Sequence, residues 1–271
     1  MLNQWFYSHN NVEVALLVCG ALIAIALVGL WIFTRLVNWE ERERDTSMIG
    51  LSYAFAGAVY AVVLAFVAVG VYETMDGASA VATAEANSLS SLVFDSTGLP
   101  AKAGLQLRKD ALAYVDIVVK SEWPSQQAYD MDDRNFVAGW KQLQKINLEL
   151  STIAPANESQ AVDKNELLGT VNDLFAARRS RILAAGSHLP DAVWQMLLAG
   201  LVVIAIYLYL FGPHNYRVHV AVTGLTVLSI ALVFTLIVAL DYPFRGDLSV
   251  SDEAFVSVQA TAQHLFGGQA R

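Results

Sequence analysis

The chain has 271 residues, 55% of them hydrophobic and only 15% charged, with a formal net charge of −8. That balance excludes the basic surface that nucleic acid requires, and a single cysteine, Cys19, excludes an internal disulfide or a cysteine-rich metal site. The apolar surplus collects in four blocks with the charge between them, which is the segregation of a membrane protein and not of a soluble domain.

Residues 1–12 hold no Lys or Arg, so the basic region of a secretory signal is missing. Trp5, Phe6 and Tyr7 read as an interfacial aromatic belt ahead of a retained helix. The first span runs from about Val14 to Val37, uncharged between Glu13 and Arg35. That exceeds the roughly 20 apolar residues needed to cross the hydrocarbon core. The charged run from Trp39 to Asp45 belongs in water. The second span, about Met48 to Tyr72, is uncharged throughout.

From Glu73 to Asp191 the composition is that of amphipathic helices. Leu105, Leu112, Val115 and Val119 share one helical face, as do Phe136, Trp140, Leu143 and Leu150, and again Leu168, Val171, Phe175 and Ile182. Breaks are expected near Gly98-Leu-Pro100, Trp123-Pro124 and Ile153-Ala-Pro155, because proline disfavours helix in the residue before it. Pro190 opens the third span, about Ala192 to Phe211, and Gly212-Pro213 closes it. A turn with His214 and Asn215 leads to the fourth span, about Val218 to Leu240, so these two spans form an antiparallel hairpin. Pro243 stops the last span. Ser251 then caps a short amphipathic helix that starts with Asp252 and Glu253 and reaches about Phe266.

The expected fold is an all-α membrane protein with four transmembrane helices and a helical water-exposed segment between spans two and three. Its divisions are 1–72, 73–191, 192–240 and 241–271. Four spans put both termini and residues 73–191 on one side. Arg35, Arg42, Arg44 and Arg217 in the short loops place those loops in the cytoplasm by the positive-inside rule, while Arg178, Arg179, Arg181 and Arg245 pull the other way.

No zinc, phosphate-loop, nucleophile-elbow or Cys-x-x-Cys motif is present, so no catalytic residue, metal site or cofactor is expected. His214 and His219, five apart, read as interfacial histidines. The central stretches of all four spans lack Asp, Glu, Lys and Arg, which argues against a proton relay or coupled transporter. A passive pore gated by an apolar constriction needs no such group. The second span has a small-residue stripe, Ala54, Gly57, Ala61, Ala65 and Ala68. On another face lie Phe55, Val59, Val62, Phe66 and Val69, which either line an apolar neck in a ring of subunits or meet lipid and neighbouring spans. Thr223, Thr226 and Ser229 either line a polar path or bond back to the preceding turn. Glu85, Asp241, Arg245 and Asp247 are candidates for a pore mouth or for structural capping, with Arg245 placed to satisfy the last carbonyls of span four.

Ala84-Glu-Ala-Asn87, Glu122-Trp-Pro124 and above all Asp241-Tyr-Pro-Phe-Arg-Gly-Asp247 resemble the bacterial bestrophin-like domain family, over nearly the whole chain. The resemblance extends distantly to bestrophins, which are pentameric channels, mostly for anions, with a neck lined by the second span and the helical portion in the cytoplasm. It implies Phe55, Val59, Val62 and Phe66 as neck positions. The polar and aromatic run after the bestrophin second span and an acidic calcium clasp have no equivalent here.

Two functions follow as expectations. One is a homo-oligomeric channel, a pentamer by the resemblance, in a bacterial inner membrane and passing small ions passively. The other is a non-conducting scaffold or sensor whose helical segment binds a protein partner through residues such as Trp140 or Arg178. The lipid bilayer is a partner in both.

Overall fold

A computed structural model describes residues 11–37, 46–211 and 215–266. The aromatic run at residues 5–7, the charged loop from Trp39 and the Gly212–His214 turn lie outside the described residues. Among those described, every regular element is helical, and four helices are long and apolar enough to cross a membrane. The expected all-α architecture with four spans is therefore found. The chain divides into two compact units, one within Met1–Glu73 and His188–Asp241, the other within Thr74–Ser187 and Tyr242–Arg271.

The first unit holds α1 (Asn11–Leu36), the first part of α2 (Thr46–Asp95), α7 (Asp191–Leu210) and α8 (Tyr216–Leu240). Span one packs along span four: Cys19 and Ala26 on α1, and Val227, Ala231 and Ile237 on α8, are buried. Cys19 Sγ lies 3.8 Å from Thr235 Oγ1, so the cysteine has the packing role of a small hydrophobe. Two tyrosines tie spans to α7 through backbone carbonyls. The Tyr60 hydroxyl of α2 donates to Leu197 O at 2.8 Å. Tyr209 of α7 donates to Ala26 O at 2.9 Å. Each ring lies over a glycine of the facing helix, Gly200 for Tyr60 and Gly29 for Tyr209, where a Cβ would collide with the ring. Small residues thus permit close helix approach inside the membrane.

The second unit holds the rest of α2, α3 (Ala101–Ile117), a π turn over Val118–Glu122, α4 (Trp123–Gln127), α5 (Val137–Thr152), α6 (Glu158–Ala185) and α9 (Glu253–Phe266). Its core gathers Leu89, Leu92, Ala111, Val115, Leu143, Ile146, Leu167 and Val171, all with almost no exposed surface. Breaks occur beside Pro100 and Pro155 as expected. Trp123-Pro124 differs. The helix does not stop there but widens into the π turn and continues to Gln127, with Pro124 in the first turn of α4. Asn157 caps α6 by accepting from Gln160 N at 2.9 Å, and the Ser251 hydroxyl accepts from Glu253 N at 3.1 Å ahead of α9. Trp123 then holds the C-terminal segment through edge contacts with Phe244 at 5.3 Å and Phe255 at 5.6 Å between ring centroids.

Candidate functional site

Helix α2 is 50 residues long and contains no proline, lysine or arginine. Along it, one face stays buried and the opposite face stays open. The buried face carries Tyr60, Leu64, Val71, Ala78, Ala82, Glu85 and Leu89. The open face carries the five neck candidates, Phe55, Val59, Val62, Phe66 and Val69, each between 51% and 75% exposed in the single chain. At the same alternation of three and four residues the open face continues through Glu73, Asp76, Ala80, Ala84, Asn87 and Ser91, all exposed. A helix of about 3.6 residues per turn keeps those positions in line. The face therefore changes from bulky and apolar to acidic at Glu73, and from there to small and neutral.

Glu85, the one carboxylate on the buried side, belongs to a network of ionised groups. Arg181 Nε donates to Glu85 Oε2 at 2.6 Å and Arg181 Nη2 to Glu85 Oε1 at 3.1 Å. Arg181 Nη2 also reaches Glu122 Oε2 at 2.8 Å, and Nη1 reaches Gln126 Oε1 at 2.8 Å. Arg178 grips Glu122 with two parallel bonds of 2.7 Å and donates to Phe136 O at 2.9 Å. The Tyr114 hydroxyl donates to Glu85 Oε1 at 2.5 Å and accepts from Arg178 Nη1 at 2.9 Å. Glu85, Glu122, Arg178 and Arg181 all have zero exposure.

Two positive and two negative groups balance, which is the condition for keeping charges out of water. Burial by itself disfavours both guanidinium charges, but the facing carboxylates outweigh it and hold Arg178 and Arg181 above the ordinary arginine range. Burial, and then the charge of Glu85, push the Tyr114 phenol well above its usual value, so it stays a donor. Aromatic faces complete the enclosure: Arg178 lies 4.7 Å from the Trp140 ring centre, and Arg181 lies 5.7 Å from Trp123.

The π turn brings Glu122 to this point. Gly139 leaves room for the pair, since a Cβ there would strike Glu122 Oε1 and the Arg178 guanidinium. Sequence reasoning singled out Glu85 and Glu122 but treated Arg178 as a surface contact for a partner. That expectation is corrected, because Arg178 is fully buried and paired with Glu122. The signal was present: Leu167, Val171, Leu174, Arg178, Arg181 and Ala185 form one buried stripe of α6. Arginines in phase with leucines require buried acids to meet them.

The other candidates separate by burial. Asp241 is 6% exposed and accepts from Leu189 N at 2.6 Å, and burial pushes its carboxyl up against that hydrogen bond. Arg245 is 4% exposed, with the Tyr242 and Tyr129 ring centres at 5.4 Å and 5.6 Å. The turn that follows uses Gly246 at φ 80, a conformation natural only to glycine. Asp247 is exposed. His219 is buried, its Nε2 2.8 Å from Leu208 O, and the Ser229 hydroxyl bonds back to Leu225 O at 2.9 Å. No group of three or more potential metal ligands occurs among the described residues.

A family model described as the bestrophin-like domain matches residues 20–255. The chain belongs to that family. Two crystal structures of a bacterial bestrophin homologue from Klebsiella pneumoniae, each with one substitution, have similar folds. One gives a TM-score of 0.66 at 12% identity, covering 95% of this chain and 99% of the other. The second gives 0.65 at 13% identity, over 93% and 98%. A further membrane protein is similar at 0.64 and 12% identity, over 92% of this bestrophin-like chain and 99% of its own. No curated protein matches. The family expected from Asp241–Asp247 and its companions is thus established, and identities this low speak for the fold alone.

Proposed function

We propose that this bestrophin-like chain assembles into a homo-oligomeric, pentameric channel in a bacterial inner membrane and passes small ions passively. The observation that carries the reading is the open face of α2. Phe55, Val59, Val62, Phe66 and Val69 stay uncovered in one chain while Tyr60, Leu64 and Val71 behind them are buried. Copies arranged with these faces toward a common axis form an apolar neck, which gates by dewetting and needs no ionisable group in the span. Bestrophin-like membership and the similarity to a bacterial bestrophin homologue support the same arrangement.

The test is flux through the purified protein in liposomes, with its oligomer mass measured in parallel. The channel reading expects a closed ring, ion flux above empty vesicles, and a changed rate in Phe66→Ala. A dimer without flux would overturn it in favour of a scaffold. In that rival reading Arg178 no longer serves as the partner contact, since Glu122 occupies it.

A further inference from the structure

The second unit contains a charge cluster that does not balance. Between α3 and α5, Asp110 accepts from Lys145 Nζ at 2.5 Å and from the Gln106 amide at 2.8 Å, with only 6% of its side chain exposed. Glu149 lies beside them, its Oε1 3.7 Å from the same Lys145 Nζ. Two carboxylates thus share one ammonium, whereas Glu85 and Glu122 face two guanidiniums. The shortfall falls on Glu149. Its Oε2 is enclosed and accepts no hydrogen bond, and burial, then the neighbouring Asp110 carboxylate, push its carboxyl up.

A cavity of about 420 Å³ opens at this point, a size within the range of small-molecule sites, roughly 300–1,000 Å³. Leu107 of α3, with Leu150 and Ile153 at the end of α5, make its apolar wall, and Glu149 and Gln106 supply the polar one. The Gln106 amide nitrogen is engaged by Asp110, while its side-chain oxygen accepts from no donor among the described residues. Lys102 also lines the cavity, but it is exposed and forms no ion pair among the described residues, so water screens its charge.

We infer that this cavity binds a small amphipathic ammonium, which pairs with Glu149 and lays an apolar body against Leu107, Leu150 and Ile153. The ligand's charge supplies the cation that the Asp110–Lys145–Glu149 cluster lacks. Its N–H groups have two acceptors in reach of the polar wall, the Glu149 carboxylate and the Gln106 oxygen. The site lies wholly in the second unit, so its occupancy is separate from conduction.

The experiment titrates butylammonium into the purified full-length protein by calorimetry near neutral pH, with butanol and butyrate as probes of the same apolar body. Butylammonium should bind at least about tenfold more tightly than either. Glu149→Gln should weaken it about tenfold, and Ala103→Phe, which fills the cavity from α3 and leaves Glu149 in place, should abolish it. Lys102→Met should keep the affinity or tighten it. Because the ammonium competes with the proton on Glu149, wild-type affinity should rise from about pH 5 to about pH 8, and Glu149→Gln should flatten that rise. Partition into detergent is common to all variants and cancels, and equal unfolding midpoints show that each variant is folded. Butylammonium bound no more tightly than butanol, undiminished affinity in Glu149→Gln, or a preference for butyrate that disappears in Lys102→Met each overturns the inference.

Discussion

Glu122 and Arg178 meet through two parallel hydrogen bonds of 2.7 Å, and neither residue has any surface exposed to solvent. Because the pair is enclosed, removing one partner leaves the other buried with its charge only partly compensated, Glu122 by Arg181 alone and Arg178 by neutral oxygens. Arg178→Ala or Glu122→Ala should each destabilise the second unit by about 3–5 kcal/mol, as measured by chemical unfolding followed through the buried Trp123. Arg178→Lys should rescue little, since an ammonium cannot reproduce the paired donors and the bond to Phe136 O. Replacing the charges together, as in Glu122→Gln with Arg178→Met, should cost clearly less than the sum of the single changes.

Gly139 gives an independent probe of the same pair. An added methyl would overlap Glu122 Oε1 and the Arg178 guanidinium, two groups already fixed by each other and by Tyr114, Phe136 O and Arg181. Gly139→Ala should therefore destabilise the protein, although alanine is the better helix former. Gly169 on α6 has nothing within 4 Å of its would-be Cβ. Gly169→Ala should be neutral or stabilise by up to about 1 kcal/mol. Opposite shifts in thermal midpoint for the two variants would check the point, and a stabilised Gly139→Ala would refute it.

The four spans were legible because lipid admits only backbone that satisfies itself, so a long neutral run such as Met48 to Tyr72 has one available structure. The helical segment was legible in its punctuation: Pro100, Pro155 and Ser251 act locally, and the structure obeys them. What could not be read was how helices meet. Arg178 and Arg181 look like surface charge until α6 is placed against Glu85, which lies 93 and 96 residues away in sequence. Periodicity alone did contain the hint, in arginines that continue the Leu167–Leu174 stripe. The π turn had no such local mark. Pro124 announces a break, and only the demand of two buried guanidiniums for Glu122 explains why the helix widens there and does not end.

In the membrane unit, Tyr60 lies directly over Gly200 while its hydroxyl reaches Leu197 O. A methyl at position 200 meets the ring, not lipid. Gly200→Ala should separate spans two and three and lower the detergent-solubilised thermal midpoint, a cost of about 1–3 kcal/mol for overpacking. In a Tyr60→Ala background the same change should cost much less, because the obstructing ring is gone. Equal losses in both backgrounds would show that Gly200 is needed for some reason other than Tyr60. Tyr60→Phe keeps the ring and loses only the hydrogen bond, so it should cost about 1 kcal/mol.

Asp110 supplies the pH dependence. It accepts from Lys145 Nζ at 2.5 Å and from the Gln106 amide at 2.8 Å, while Gln142 donates to it at 3.2 Å. Burial would raise its carboxyl, but these donors, Lys145 foremost, outweigh burial and hold it below the usual carboxylate range. A folded value below the unfolded one means that the unfolded chain takes up the proton first. The stabilisation is therefore complete above the unfolded value of about 3.9 and is lost as pH falls through the folded one. Asp110→Asn should be less stable than wild type near neutral pH, and the gap should close on acidification. Glu149 beside it moves the other way: burial, and then the neighbouring Asp110 carboxylate, push its carboxyl up. Its contribution is present at low pH and fades as pH rises through that raised value. The comparison is therefore cleanest in a Glu149→Gln background, with denaturation midpoints taken from about pH 7 down to about pH 3. A gap between wild type and Asp110→Asn that stays constant across that range would show that Lys145 and the two glutamines do not hold the carboxylate in its charged form.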